Sequence, residues 1–513
     1  MKSARTKTVA ILLAAAFIGC SGIASAQQGP LNLSLKDAIK RAVEKNLDVK
    51  AELYNPAMAE ADIRRNLGIY DTLLNLQTNY THSTTLPAST VFSGTDVNRQ
   101  QTTQFNAGAS QLIRTGGSVG LAFNNTWNSS NASRVGTIPN YYQSDLTLSF
   151  SQPLLKNFGR ETTELGINVA RFAKEGSLDR FKTRLSDTVA QVRNEYFKLY
   201  SLREDLEVKK TSLALAQKIL SDTKGQVNAG VLPAMEILNA EFGVATREKD
   251  IIDAERAVKD EMDLIRVLLQ LNSGNEIIPA DLPIRQDYPV VEEEALARAL
   301  AERPELLSQR ANVKTSDLQM RVTRNRTRPD LSLNASAALT GLDQHYNRDI
   351  EKIGSGDYPV WGIGLQFSYP LGNRAAENDY IRSRLALEQA RTQLQSLESS
   401  IANEVRSAIR ALHSSYKQLE VTDRGRAFAE ERLNAFIKKN KVGLATTKDV
   451  LDVENDLVAA KNNQIKALAD YNNAITQFWR STAEILDKEG IKLTGKEGDA
   501  LYDAPAATAN AAQ

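Results

Sequence analysis

Cysteine is almost missing from this 513-residue chain. Cys20 is the single one, which leaves neither a disulfide framework nor a cysteine-ligated zinc site. The three histidines, His82, His345 and His413, are too far apart to suggest a local metal box. Charge of one sign is lacking as well: 63 Lys and Arg stand against 62 Asp and Glu, so there is no basic field for nucleic acid. Beyond the N-terminal segment no apolar run reaches the roughly eighteen residues of a membrane-spanning helix. Gly116-Gly117 with Gly120 lacks the Lys-Ser/Thr pair of a phosphate loop and reads as a turn. No nucleophile, acid–base pair or ligand cluster stands out, so the chain has no visible enzyme chemistry and no cofactor is expected.

What is present begins with an export signal. Lys2, Arg5 and Lys7 precede an apolar run from Val9 to Ile18, and small residues close on Ala24-Ser25-Ala26. Residues 1–26 are therefore expected to be removed, leaving Gln27 first. Phe17-Ile18-Gly19-Cys20 also has the outline of a lipoprotein box, which makes Cys20 a possible lipidation site. At the other end, residues 489–513, Ala-rich from Asp503 onward with Pro505, are expected to form a disordered tail.

Between these ends the chain is written twice. Asp37-Ala38-Ile39 with Ala42 returns as Glu294-Ala295-Leu296 with Ala299, and Asp71 with Asn75 as Asp330 with Asn334. Phe150-Ser151-Gln152-Pro153-Leu154 returns as Phe367-Ser368-Tyr369-Pro370-Leu371. Gly230, followed by Glu236-Ile237-Leu238-Asn239 and Glu241, returns as Gly443, followed by Asp449-Val450-Leu451-Asp452 and Glu454. Four matches in one order indicate an internal duplication. The first repeat spans 27–272, a Pro-containing linker or equatorial segment 273–291, and the second repeat 292–488.

Each repeat reads helix, strands, long helix, shorter helix. In the long segment from Arg160 to Asn228, Leu185, Val189, Val192, Tyr196 and Leu199 follow alternating steps of four and three, and Leu206, Leu213 and Leu220 continue at sevens with Arg203, Lys210 and Gln217 filling the gaps, a coiled-coil stripe. Arg374 to Lys441 matches it, and each would be about 100 Å long. The strands, about 71–83 and 144–152 in the first repeat and 330–340 and 360–369 in the second, alternate apolar with small polar residues and carry no Lys, Arg or Glu. In an exported chain this pattern fits a transmembrane barrel with a wet interior. An extra hairpin over about 103–128, turning at Thr115-Gly116-Gly117, is read as an extracellular extension, with an elongated lateral strand pair as the alternative. Four strands cannot close a barrel and bare edges are not tolerated in lipid, so the chain must oligomerise. The expected fold is a mixed α and β membrane protein in which three copies of four strands make a twelve-stranded outer-membrane β-barrel, continued by a periplasmic α-helical coiled-coil barrel.

Val442-Gly443-Leu444-Ala445-Thr446-Thr447-Lys448-Asp449-Val450-Leu451-Asp452, the later Asp470-Tyr471-Asn472-Asn473-Ala474, and the paired Gln152-Pro153-Leu154-Leu155 and Tyr369-Pro370-Leu371-Gly372 carry a resemblance. Over nearly all of its mature length the chain resembles the TolC-type outer-membrane efflux proteins. The resemblance implies a homotrimeric passive channel-tunnel in outer-membrane lipid, opened when an inner-membrane transporter and its periplasmic adaptor (membrane fusion protein) dock. It assigns Asp449 and Asp452 to a periplasmic gate. The turns at Gly230, Val231 and Leu232 and at Val442, Gly443 and Leu444 become hairpin tips for adaptor contact. Helix physics offers a second reading of the aspartates, as acids favoured near a helix N-terminus. Pro153 and Pro370 mark the junction of barrel and helices. Ala445 stands where some relatives carry an arginine that helps hold the pore shut. The other readings are a non-conducting trimeric tether across the periplasm, and the periplasmic adaptor itself. Nothing in the sequence names the cargo, whether drug, metal or protein.

Overall fold

A computed structural model describes residues 30–86, 94–131, 138–271, 274–495 and 497–503. The expected signal, residues 1–26 with Cys20, lies outside the described residues.

The chain enters through β1 (Leu31–Leu33), α1 (Leu35–Lys45) and α2 (Leu47–Leu67). Asn46 separates the two helices: its Oδ1 accepts from the N–H groups of Asp48 and Val49, 2.9 and 3.1 Å away, the capping geometry that starts a new helix. Strands β2 (Leu73–Thr85), β3 (Asn98–Leu112), β4 (Ser118–Ser130) and β5 (Asn140–Pro153) follow, then the single turn α3 (Arg160–Thr163). The long helix α4 (Leu165–Asn228) returns as α5 (Met235–Leu269). After β6 (Ile277–Pro279), the second half runs α6 (Glu292–Glu302), α7 (Pro304–Arg326), β7 (Asp330–Asp343), α8 (Tyr346–Ser355), β8 (Pro359–Ser368), α9 (Arg374–Lys441) and α10 (Thr447–Ser481). Pro304 opens α7 at its first turn, where a missing N–H costs nothing.

Helices α4 and α9 have 64 and 68 residues, and the shorter helices lie against them in series. Lys174 of α4 pairs with Glu60 of α2 at 2.9 Å, whereas further along Lys198 pairs with Glu261 of α5 at 2.6 Å and Lys224 with Glu241 at 3.0 Å. The main core sits where the four helix layers meet: Val189, Val192, Tyr196 and Leu199 pack with Ile401, Val405, Leu412, Tyr471 and Ile475. Beyond Leu199 the stripe of α4 is only half-buried at Leu206, Leu213 and Leu220. The segment after α5 straps this core from outside. β6 pairs in parallel with β1, Tyr196 Oη donates to Leu33 O at 2.9 Å, Tyr471 Oη donates to Gln286 O at 2.7 Å, and Asn472 bonds both the N–H and C=O of Ile284.

One buried carboxyl here carries a pH signature. Burial, reinforced by the nearby Glu195 carboxylate, pushes Glu261 up to about 7 against the pull of Lys198. The folded protein thus keeps a proton that the unfolded chain releases from about 4.5 upward, so this contribution is complete below about 4.5 and is lost as pH rises to about 7. Glu261→Gln should flatten that slope and raise the melting temperature at pH 8. An unchanged pH dependence of melting, followed by circular dichroism, would refute it.

The six larger strands form one antiparallel sheet in the order β2-β3-β4-β5-β7-β8. This corrects two expectations. The chain contributes six strands to the sheet and not four, because β3 and β4 are inserted between β2 and β5. Their turn is not extracellular either. It lies at the helical end of the sheet, where Gly159 N–H bonds Thr115 O at 2.9 Å and Thr115 Oγ1 donates to Gln152 Oε1 at 2.6 Å. Both errors have one source: Gly116-Gly117 marks a tight turn, but a turn's residues do not say at which rim it sits.

A third correction concerns the C-terminus. Beyond residue 488 the described residues are packed: Glu489 takes a charge-assisted hydrogen bond from Arg193, and Ile491 packs against the core. After α11 (Ile485–Lys488), helix α12 (Glu497–Asp503) lies along α2, with Asp499 2.5 Å from Lys174 and Arg64 above the Tyr502 ring at 5.4 Å. The Ala-rich composition that suggested disorder begins only after these packed side chains, and residues 504–513 lie outside the described ones.

Candidate functional site

The two hairpin turns far from the sheet share one geometry. Gly230 and Gly443 have φ of 76° and 78°, the left-handed backbone that glycine adopts without a Cβ clash. In each, the next residue's N–H reaches back across the last helical turn: Val231 N–H to Gln226 O and Leu444 N–H to Lys439 O, both 2.9 Å. These double-bonded endings satisfy the last carbonyls of α4 and α9 and reverse the chain. They also leave Val231, Val442 and Leu444 70, 69 and 77% exposed, with Leu232 half-buried. The tips therefore display apolar side chains that none of the described residues covers.

Asp449 and Asp452 stand on the first turns of α10, both exposed. They are not equivalent. Asp449 closes a capping box: its Oδ2 accepts from the N–H and the hydroxyl of Thr446, each at 2.8 Å, and its own N–H donates to Thr446 Oγ1 at 3.1 Å. The Thr446 backbone N–H, followed by its hydroxyl, holds the Asp449 carboxyl below its ordinary value. The helix-N-terminus reading of Asp449 is the one seen in the geometry, and the cap keeps its carboxylate ionised beside the Gly443 turn. The first-repeat counterparts Glu236 and Asn239 are half-buried.

A short way inside the tips lies a cluster that sequence reasoning missed. Arg247 of α5 and Glu454 of α10 form a buried ion pair, their side chains 6 and 3% exposed. Arg247 Nε also donates to Glu454 Oε2 at 3.0 Å and to Ser212 Oγ of α4 at 3.1 Å, while its other nitrogens reach Gly243 O and Asn455 Oδ1, both at 3.0 Å. Ser212 in turn donates to the Glu454 carboxylate. The guanidinium so ties the first hairpin to the second, and Thr223 and Thr447 meet at 3.4 Å nearer the tip. The available signal was Glu454 itself, which repeats Glu241 in position; Glu241 pairs at the surface with Lys224, and nothing in the sequence distinguishes the buried copy.

At the opposite end the sheet has two chemically distinct faces. Leu76, Ala107, Phe123, Leu146 and Leu339 align across five strands on one, and Gln77, Asn106, Asn124, Asp145 and Thr340 on the other. An apolar face, a polar face and helices about 100 Å long at one rim are the parts of a membrane duct.

The comparisons agree with this geometry. Residues 117–269 and 295–482 match the model of the outer membrane efflux protein family. The chain belongs to that family. Among its curated relatives is the outer membrane efflux protein BepC of Brucella suis biovar 1, 24% identical over 359 residues, covering 70% of this chain and 76% of the relative. The outer membrane protein TolC of Salmonella enteritidis is 24% identical over 58% of this chain and 61% of its own length. The solved structure of VceC from Vibrio cholerae superposes with a TM-score of 0.62 at 14% identity, covering 87% of this chain and 95% of that one. The efflux channel is thus an outer-membrane protein with its helices in the periplasm, and it is not an enzyme.

In this efflux channel Pro153 ends β5 beside Ser332, and the chain crosses into the helices through Asn157, at φ 60°, whose N–H bonds Asn325 Oδ1 at 2.7 Å. Pro370 follows β8, and Gly372 and Asn373, both at positive φ, turn the chain into α9. Sheet and helices meet at these two prolines.

Proposed function

We propose that this efflux channel is a homotrimeric passive duct whose barrel crosses the outer membrane and whose helices form a tunnel opened at the hairpin tips by a periplasmic adaptor and an inner-membrane transporter. The observation that carries the reading is the amphipathic sheet with two bare edges. Among the described residues β2 and β8 each pair on one side only, and both expose Leu, Ile or aromatic side chains. Unpaired edges in lipid leave backbone groups unsatisfied, so further copies must complete the wall. Exposed Tyr54, Met58, Leu238, Phe242 and Phe428 on the helices supply apolar surface for the same neighbours. A tether would gain nothing from the polar face of the sheet, which favours a conducting lumen. The apolar tips suit adaptor contact, and Asp449 and Asp452 of three chains would ring the entrance with carboxylates.

Asp452 has no hydrogen bond or ion pair within the chain among the described residues, whereas Asp449 is shared with the helix cap. Asp452→Asn should therefore lower cation preference and weaken block by divalent cations from the periplasmic side several-fold, with assembly intact. Single-channel recording decides it, and unchanged selectivity and block in the Asp449→Asn/Asp452→Asn double variant would place the gate elsewhere.

A further inference from the structure

The inserted hairpin is no appendage to the sheet. Its register continues from β2 through β3 and β4 to β5 without a slip: Leu76 faces Ala107, Ala107 faces Phe123, and Phe123 faces Leu146. Because a one-residue slip sends every side chain to the opposite face, this register keeps the apolar row of β3 and β4 in phase with that of the other four strands. A hairpin projecting into water has no reason to maintain such a row. The polar face is joined in the same way. Asn124 Nδ2 donates to Asp145 Oδ2 at 2.8 Å, and Asn128 Nδ2 donates to Tyr141 Oη at 2.7 Å. At the periplasmic rim the turn is bolted down, with Gln111 Nε2 donating to Tyr70 O at 2.9 Å and Gln152 Nε2 to Thr115 O at 3.2 Å.

We infer that the β3–β4 hairpin is embedded in the membrane as part of the barrel wall, so that the assembled channel has eighteen strands. The count rests on the trimeric reading, three sheets of six. Barrel diameter grows roughly linearly with strand number, which makes this lumen about 1.5 times as wide as that of twelve strands and puts it in the range that leaves an aqueous channel. Its wall is nearly uncharged. On the polar face of the six strands the ionisable side chains other than Tyr141 are Asp145 and Asp330, amid amides, hydroxyls and glycines. A wide, amide-lined vestibule does not sieve by size, so bulky polar solutes that pass the periplasmic tip meet no second steric barrier in the described wall, while Asp145 and Asp330 leave it weakly cation-preferring. Sieving then falls to the tip.

Nitroxide labels attached through Gln104→Cys, Asn106→Cys, Ala107→Cys and Ala109→Cys test the inference in the full channel reconstituted in phospholipid vesicles. The mature chain offers no competing thiol, since Cys20 is either removed with the signal or blocked by lipid. Labels at 107 and 109 should collide preferentially with oxygen dissolved in lipid and those at 104 and 106 with a water-soluble nickel chelate, a two-residue period along β3. Uniform access of the chelate would overturn the inference. Native mass spectrometry of the same samples separates the two readings. The period with three chains supports eighteen strands, and the period with two chains refutes the trimer and with it that count. Three chains without the period leave the trimer standing and remove the hairpin from the wall. A variant that fails to insert is replaced by its neighbour on the same face, Thr102→Cys or Phe105→Cys.

Discussion

Arg247→Ala should loosen the periplasmic end of the channel and raise its resting conductance. The substitution strands the Glu454 carboxylate, 3% exposed, with Ser212 as its remaining partner in the cluster. Removing one partner of a buried pair costs roughly 3–5 kcal/mol, because the surviving charge stays desolvated. Since Arg247 also bonds Ser212 of α4 and Asn455 of α10, the loss falls on the contact between the two hairpins more than on either alone. Glu454→Ala strands the guanidinium in the same way and should act similarly. Arg247→Met with Glu454→Met removes both charges and fills the space with apolar atoms, a replacement that is often neutral or stabilising. The double variant should thus regain a closed resting state in planar bilayers and a near-parental melting temperature. If the single variants stay closed, the pair is a packing feature without a part in gating; if the double variant is as open as the singles, the ion pair has a role beyond cancelling its own burial cost.

Gly116→Ala should abolish assembly. Gly116 has φ of 89°, and an added Cβ would lie 2.6 Å from Asn157 O and 2.9 Å from Thr163 Oγ1. Backbone strain at positive φ alone costs about 1–2 kcal/mol for an alanine. The overlap adds more, because Asn157 O belongs to the backbone that carries β5 into the helices. Gly159→Ala is the control for the overlap alone: at φ 101° and ψ 159°, a region kept almost wholly to glycine, it carries backbone strain of about 1–3 kcal/mol, yet nothing lies within 4 Å of the added carbon. It should assemble with modest destabilisation while Gly116→Ala yields little or no oligomer in native gels of outer-membrane extracts. Equal yields from the two variants would mean that the turn is not held against the junction.

Why the sequence spoke clearly in some places and not in others follows from the range of each signal. The long helices, their glycine-ended tips and the proline junctions depend on neighbours a few residues away, and α9 runs over the same Arg374 to Lys441 that its heptads mark. The breaks at Asn46 and Pro304 were equally local, although a periodicity search passes over a one-residue cap. What stayed hidden is long-range. The alternation of β3 and β4 was legible, yet their place between β2 and β5 depends on pairings that no single strand encodes. Arg247 and Glu454 lie 207 residues apart and look like two surface charges among 125. The sequence around Asp449 allows gate or cap, and the Thr446 geometry shows the cap occupied.

The sheet must be a wall that closes around water when chains assemble. Planar-bilayer recording on the purified detergent-extracted protein, with its chain number fixed by native mass spectrometry, tests this most directly. Three chains and discrete conductance steps that grow when the Arg247 pair is broken are expected. A stable single chain in mild detergent, or a trimer that inserts and never conducts, would contradict it.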